Sequence, residues 1–178
     1  MIHIANKLQD LKTVWKQNTS IRFLTWVVVS YFVWNFLYTF WFTHSSLTAL
    51  LTVHLAEVTT SIVSYMGMEA TLVDTTIFVD SNRTLFVGNA CNGAEFFGIF
   101  TCFVLVYPIS FKFKWWFVLL GVLCIHILNL IRLVLLVIIY SNYPGHFDFN
   151  HKYTFVLIIY GALFFMWFAW AKKYRQLP

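Results

Sequence analysis

Charge is scarce in this chain. Only 11% of its 178 residues are charged, and only 7 are Asp or Glu, whereas about 25% of an average soluble domain is charged. A water-soluble fold of this size needs far more polar surface. An ordinary cytosolic enzyme, a disordered chain and a nucleic-acid module are therefore excluded. Cysteine is scarce too. With 3 residues there is no disulfide framework; Cys102 and Cys124 lie inside apolar runs, and Cys91 is the exception. Internal repeats and low-complexity linkers are missing. What fills the chain is apolar: 60% hydrophobic residues, with 20 Phe and 8 Trp. The net charge of +5 forms no single patch. The basic residues instead separate apolar blocks, as membrane topology requires.

A spanning helix takes roughly 20 mostly apolar residues. Blocks 23–42, 92–109, 115–140 and 153–171 fit that description. The first is too long for a signal-peptide core, and the THSS after it is no persuasive cleavage site. Lys7, Lys12, Lys16 and Arg22 precede the first block, Lys112 and Lys114 join the second and third, and Lys172, Lys173 and Arg175 follow the fourth. Four crossings put all of these in the cytoplasm, leaving only Arg83 and the boundary residue Lys152 outside. Residues 1–21 read as a cytoplasmic surface helix, with Ile4, Leu8, Leu11 and Trp15 at helical spacing. Segment 47–68 carries Leu47, Leu51, Val58, Ile62 and Tyr65 near one face and His54, Glu57, Ser61 and Ser64 on another. It reads as an amphipathic helix on the outer interface, with crossing as the alternative. Residues 71–89 read as a β-hairpin, with strands 71–79 and 83–88 around Asp80-Ser81-Asn82. Residues 141–152 form an outer loop and 172–178 a cytoplasmic tail. The expected fold is one membrane domain over 1–178, all-α and polytopic. It has four transmembrane helices, the amphipathic helix and a small extracytoplasmic β-hairpin.

Cys91 lies in Gly88-Asn-Ala-Cys-Asn-Gly93-Ala-Glu95. Asn92 followed by Glu95 is a capping-box-like pattern, placing Cys91 at a helix start where peptide dipoles favour a thiolate. Gly88 and Gly93 permit a tight turn and close backbone approach. Arg132 interrupts LNLIRLVLLVII, and a mid-span Arg costs about 2.5–3.5 kcal/mol on the insertion scale. Counted from Trp115 at 1.5 Å per residue it sits about 26 Å up the helix, at the depth where the second block begins. Asn129 lies one turn below and His126 one turn further. The bland alternative for Arg132 is a snorkelling side chain. In the outer loop, His151 stands at the mouth of the fourth block, and His146 in a Pro-Gly turn. The spacing of His146, Asp148 and His151 matches no strong metal-ligand motif. Together, a nucleophile, a fixed cation and a side chain titrating near neutrality are the parts of acyl transfer. His151 would activate the thiol or protonate the leaving amine. Arg132 would hold the thiolate, the oxyanion or a substrate carboxylate. A non-enzymatic alternative is an assembly partner or small carrier that uses Arg132, His126 and Glu57 to bind an ion or a partner helix.

At Asn89-Ala-Cys91-Asn92-Gly93, at Asn129-Leu-Ile-Arg132 and at a His beginning the last span, the sequence resembles the exosortase/archaeosortase family of membrane-embedded cysteine transpeptidases. The resemblance covers roughly residues 85–165, and the family commonly carries Ser where Asn92 stands. It implies Cys91, Arg132 and His151 as catalytic residues, supported by Asn92, Gly93, Glu95, Asn129 and His146, with no metal or other cofactor. It also implies a multi-pass protein of the bacterial cytoplasmic (inner) membrane whose site faces the periplasm. Its substrates would be secreted proteins with a C-terminal sorting signal: a recognition motif, a transmembrane helix and a basic cluster. Its partners would be those substrates, the lipid bilayer and a cell-surface acceptor, and no nucleic acid. The hairpin, joined directly to Cys91, would bind the recognition motif by strand addition.

Overall fold

The computed structural model describes residues 15, 18–79 and 83–174. Most of the expected surface helix, and Arg175, lie outside them. Helix α1 (Thr19–Phe40) begins where Asn18 Oδ1 accepts the Ser20 and Ile21 amides at 3.0 and 3.3 Å. A 3₁₀ turn, Phe42–His44, leads to α2 (Ser46–Tyr65), capped by Ser45 Oγ on the Thr48 amide. Three short strands follow: β1 (Ala70–Val73), β2 (Thr76–Val79) and β3 (Arg83–Phe86). A 3₁₀ turn over Asn89–Cys91 then opens into α3 (Ala94–Val106), α4 (Phe111–Asn142) and α5 (Phe155–Tyr174).

The fold is that of a polytopic helical membrane protein with a small antiparallel sheet. Four helical segments are long and apolar enough to cross a bilayer: Thr19–His44, Ser46–Tyr65, Phe111–Asn142 and Pro144–Tyr174. They are not the same four as the apolar blocks. Block 92–109 forms only the 13-residue α3, about 20 Å at 1.5 Å per residue against roughly 30 Å of hydrocarbon. Gly93 holds back its start, and its end comes at Tyr107, extended (ψ 134°) ahead of Pro108. The expected outer loop is itself largely helical, running through turns at Pro144–His146 and Phe147–Phe149 and a π turn at Asn150–Thr154 into α5.

One further expectation changes. The strand expected over 71–79 is a hairpin of its own. Asp74 adopts φ +54°, a left-handed conformation that Asp tolerates, and turns the chain between Val73 and Thr76. The sheet therefore has three strands in the order β1-β2-β3, with Ile77 opposite Leu85. The face of α2 buried in the protein is not the leucine face, which the interfacial reading leaves to lipid. Thr48, Thr52, Leu55, Ala56, Thr59 and Val63 point inward, while Leu47 and Tyr65 are 64% and 94% exposed. Lipid rewards an apolar outer surface, so burial inside a membrane protein selects small and hydrogen-bonding residues instead. Thr52 and Thr60 bond the carbonyls one turn back, at 2.9 and 2.8 Å.

Two cores flank the chain around Cys91. In one, Leu55 and Val63 of α2 meet Ile77, Val79, Leu85, Val87 and, on α4, Leu133 and Val137. In the other, Phe96, Phe100 and Val104 of α3 meet Ile125 of α4 and Ile159 and Leu163 of α5. The Lys114 ammonium closes the α3–α4 hairpin by donating to the Leu105 carbonyl at 2.5 Å.

Candidate active site

Cys91 ends the 3₁₀ turn that follows β3, and three separate elements hold that turn. Asn89 Nδ2 donates to the Thr43 carbonyl at 3.0 Å. The Thr52 hydroxyl lies 3.0 Å from Asn89 Oδ1. Asn129 Nδ2, from α4, donates to the Cys91 carbonyl at 2.8 Å. Asn92 is fully buried, and its side chain does three jobs. Nδ2 reaches Thr52 Oγ1 at 3.0 Å and the Thr48 carbonyl at 3.3 Å, while Oδ1 accepts the Ala94 amide at 2.9 Å. The Asn92–Glu95 capping box does not form. Gly93 is the helix N-cap, and Asn92 bonds only two residues ahead. Cys91 thus sits just upstream of the helix rather than on its first turn. Gly93 has φ +80°, and a Cβ there would lie 3.1 Å from Asn129 Cγ. A side chain would strain the backbone and press on the group that holds the Cys91 carbonyl.

His151 comes from the π turn above α5. Its Nε2 lies 3.6 Å from Cys91 Sγ, within range for a thiol–imidazole hydrogen bond. Phe147 lies one turn back, and its ring is parallel to the imidazole, with centroids 5.6 Å apart and planes 9° apart. This stacking fixes the plane in which Nε2 addresses the sulfur. Arg132 lies three residues beyond Asn129 on the buried face of α4 and is 5% exposed. Its Nε has no hydrogen-bond partner, and neither does Asn129 Oδ1. Cys91 and His151 are both within electrostatic reach of its guanidinium. A buried cation without a carboxylate partner is costly unless an anion forms beside it, and a thiolate or a tetrahedral oxyanion would be such an anion.

Cys91 and His151 open onto a cavity of about 300 Å³. Its walls are Thr84, Leu85 and Phe86 of β3, Val87 just beyond it, Leu133, Leu136 and Tyr140 of α4, and Phe147. β3 is the edge of the sheet. The Val87 amide bonds back to the Thr75 carbonyl. By the alternation of an antiparallel ladder, Leu85 also bonds inward, toward β2. Thr84 and Phe86 therefore present their backbone groups outward along the cavity.

Other expected site residues lie apart. His146 is exposed, and its role is a carbonyl that accepts Asn150 Nδ2 at 2.8 Å. Glu95 is half-buried and faces Tyr38 and Tyr160. His126 stacks on His54, with centroids 6.0 Å apart, away from the cavity. Among the described residues no group of three His, Cys, Asp or Glu could hold a metal ion. Thr48, Thr52 and Phe147 were not expected at the site. The four-residue spacings of Thr48–Thr52 and Phe147–His151 were the available signals.

The sequence model of the family described as Transmembrane exosortase matches residues 19–171, which include every residue of this site. No curated protein and no solved structure matches the chain. The protein therefore belongs to the transmembrane exosortase family, whose general role is of the membrane-transpeptidase type.

Proposed function

We propose that the protein is a cysteine peptidase–transpeptidase that processes the C-terminal sorting signals of secreted proteins, with Cys91 as nucleophile. The observation that carries this reading is the 3.6 Å approach of His151 Nε2 to Cys91 Sγ at the mouth of a cavity walled by a strand edge. Neutral His151 takes the thiol proton on Nε2, and the sulfur attacks the scissile carbonyl carbon. The oxyanion that forms is stabilised by the Arg132 guanidinium. As the C–N bond breaks, the imidazolium returns its proton to the leaving amine. The upstream part of the substrate stays on Cys91 as a thioester. Water or the amine of a cell-surface acceptor resolves it, restoring the thiol.

The upstream segment of the substrate would lie extended along β3 and pair with the outward backbone groups of Thr84 and Phe86. The lysines at the far ends of α4 and α5 from the site, Lys112, Lys114, Lys172 and Lys173, support a site at the outer face of the bacterial cytoplasmic membrane. The alternative of a carrier using Arg132 and His126 has less support, since His126 stacks on His54 and does not line the cavity with Cys91.

The test is a tail-bearing substrate co-expressed with wild type, Cys91→Ala and Cys91→Ser. Wild type should convert it and carry the upstream fragment on Cys91, detected by mass spectrometry after acid quench. Both variants should insert normally and leave the substrate whole. Full conversion by Cys91→Ala would overturn the mechanism.

A further inference from the structure

The cavity that holds Cys91 and His151 has a polarity pattern of its own. Its α4 wall is a stripe, Leu133, Leu136 and Tyr140, whose spacing of three and four residues puts them on one helix face. Leu133 stands one turn above Asn129, which bonds the Cys91 carbonyl, so the stripe begins at the depth of the sulfur. It rises about 10 Å to Tyr140 at 1.5 Å per residue. Phe147 closes the far end edge-on against Tyr140, with ring centroids 5.2 Å apart. The opposite wall alternates. Leu85 and Val87 are 7% and 1% exposed, whereas Thr84 is exposed and Phe86 is 70% exposed. Among the described residues that line the cavity, only Cys91, Tyr140 and His151 can ionise. A strand added to β3 must follow the same alternation. At about 3.3 Å per residue, the stripe matches about three residues of extended chain. The first and third face α4, and the second faces away, beside Phe86. The cavity volume of about 300 Å³ equals that of about ten waters at roughly 30 Å³ each. Two branched aliphatic side chains fit that space, and two indoles do not.

We infer that this cavity selects an apolar residue at the scissile carbonyl and a second apolar residue two positions upstream, with the residue between them unselected. The inference rests on Cys91 acting as proposed above. Desolvation makes the selection. A carboxylate or ammonium at either outer position would lose its water against buried leucines, and the one imidazole in the lining already faces the thiol. Arg132 is within electrostatic reach of Cys91 but does not line this cavity, so it offers a side-chain carboxylate no partner there. A leucine at either position removes its own apolar surface and that of the wall from water. Leu136, midway along the stripe, faces the space between the two side chains and sets the size of the upstream one.

Tripeptide chloromethyl ketones test this on the full chain in detergent micelles, because the residue bearing the ketone is the one brought to the sulfur. Cys91 displaces chloride, an S–C bond replaces the C–Cl bond, and the thiol proton passes to solvent. Mass spectrometry reads the alkylation rate at Cys91, divided by the rate with iodoacetamide. The Leu-Ser-Leu probe should outpace probes with Ala, Glu or Lys at either outer position about tenfold or more. Exchanging the central Ser for Glu or Lys should change the rate less than about threefold, the scale of an exposed substitution. Leu136→Ala should move the upstream preference from Leu toward Phe by about tenfold. That shift is read as a ratio of two probes competing in one sample, which cancels any loss of folded protein. Equal rates for Leu and Glu, a selective central position, or an unmoved ratio in Leu136→Ala would overturn the inference. A Cys91 that reacts fast with every probe alike refutes the pocket alone. A Cys91 no faster than an ordinary thiol, yet still favouring Leu, refutes the catalytic reading and leaves an apolar peptide pocket.

Discussion

Asn92 offers the sharpest quantitative test of how Cys91 is held. Its buried side chain joins α2 to the turn carrying Cys91 through Thr48 and Thr52, and it satisfies the Ala94 amide. Asn92→Ala removes all three bonds. Two of them contribute about 0.5–1.5 kcal/mol each, and the buried Ala94 amide left without a partner costs about 1–3 kcal/mol. The total is about 2–6 kcal/mol, centred near 4. Asn92→Ser keeps a side-chain oxygen able to reach that amide and loses only the bonds into α2, costing about 1–3 kcal/mol. The Ala variant should therefore unfold at a markedly lower SDS fraction in mixed micelles, with the Ser variant between it and wild type. If the loss is confined to a turn that is itself marginally stable, about 1.4 kcal/mol per tenfold converts it to as much as a roughly thousandfold fall in the competent Cys91 population, read as the rate of substrate acylation. Thr52→Val, alone and combined with Asn92→Ala, completes a double-mutant cycle with an expected coupling of about 1 kcal/mol. A coupling of zero, or an Ala variant as stable and active as wild type, would refute the idea that this network positions the sulfur.

Arg132→Lys should keep the protein folded but lower kcat about 10²-fold, because an ammonium cannot reproduce the planar donor set of a buried guanidinium. Near-normal turnover would reduce Arg132 to a generic cation. Phe147→Ala removes the ring stacked on His151, a contact of about 0.5–1.5 kcal/mol. Turnover should fall up to about tenfold while Cys91 still reacts with a small thiol reagent, and equal turnover would show that the ring does not orient the imidazole. Phe86→Pro deletes an outward amide of β3 without touching a bond to β2. Cleavage of full-length substrate should drop while the circular dichroism spectrum is retained, and unchanged cleavage would argue against strand pairing.

The polytopic helical fold was legible in the apolar blocks, and the approach of His151 to Cys91 in the residues that interrupt them. Cys91, Arg132 and His151 stood out because each is anomalous beside an apolar run. Counting residues along the third block also brought Arg132 to the depth where Cys91 lies, and the residue one turn below it, Asn129, bonds the Cys91 carbonyl. The buried face of α2 was not legible. In water the leucine stripe would mark the inside, but an apolar exterior removes that contrast, and threonine-mediated contacts define the interior instead. The Asp74 turn was hidden because one residue at φ +54° splits a run whose Thr, Val, Ile and Phe read as a single strand. The capping pattern at Asn92 and Glu95 misled because Gly93, between them, moved the helix start by one residue.

The π turn at Asn150–Thr154 has the Phe155 amide bonding the Asn150 carbonyl, so it contains one residue more than an α-helical turn would use. That surplus residue lets α5 keep Ile159 and Leu163 against α3 and α4 while the stretch above it aims an imidazole at the sulfur. The two phases of one continuous helix are thereby set independently. Excising a single residue such as Lys152 would restore ordinary winding and swing His151 by about 100° around the axis. The smallest deletion available in this region would thus disarm the thiol while leaving every transmembrane segment seated.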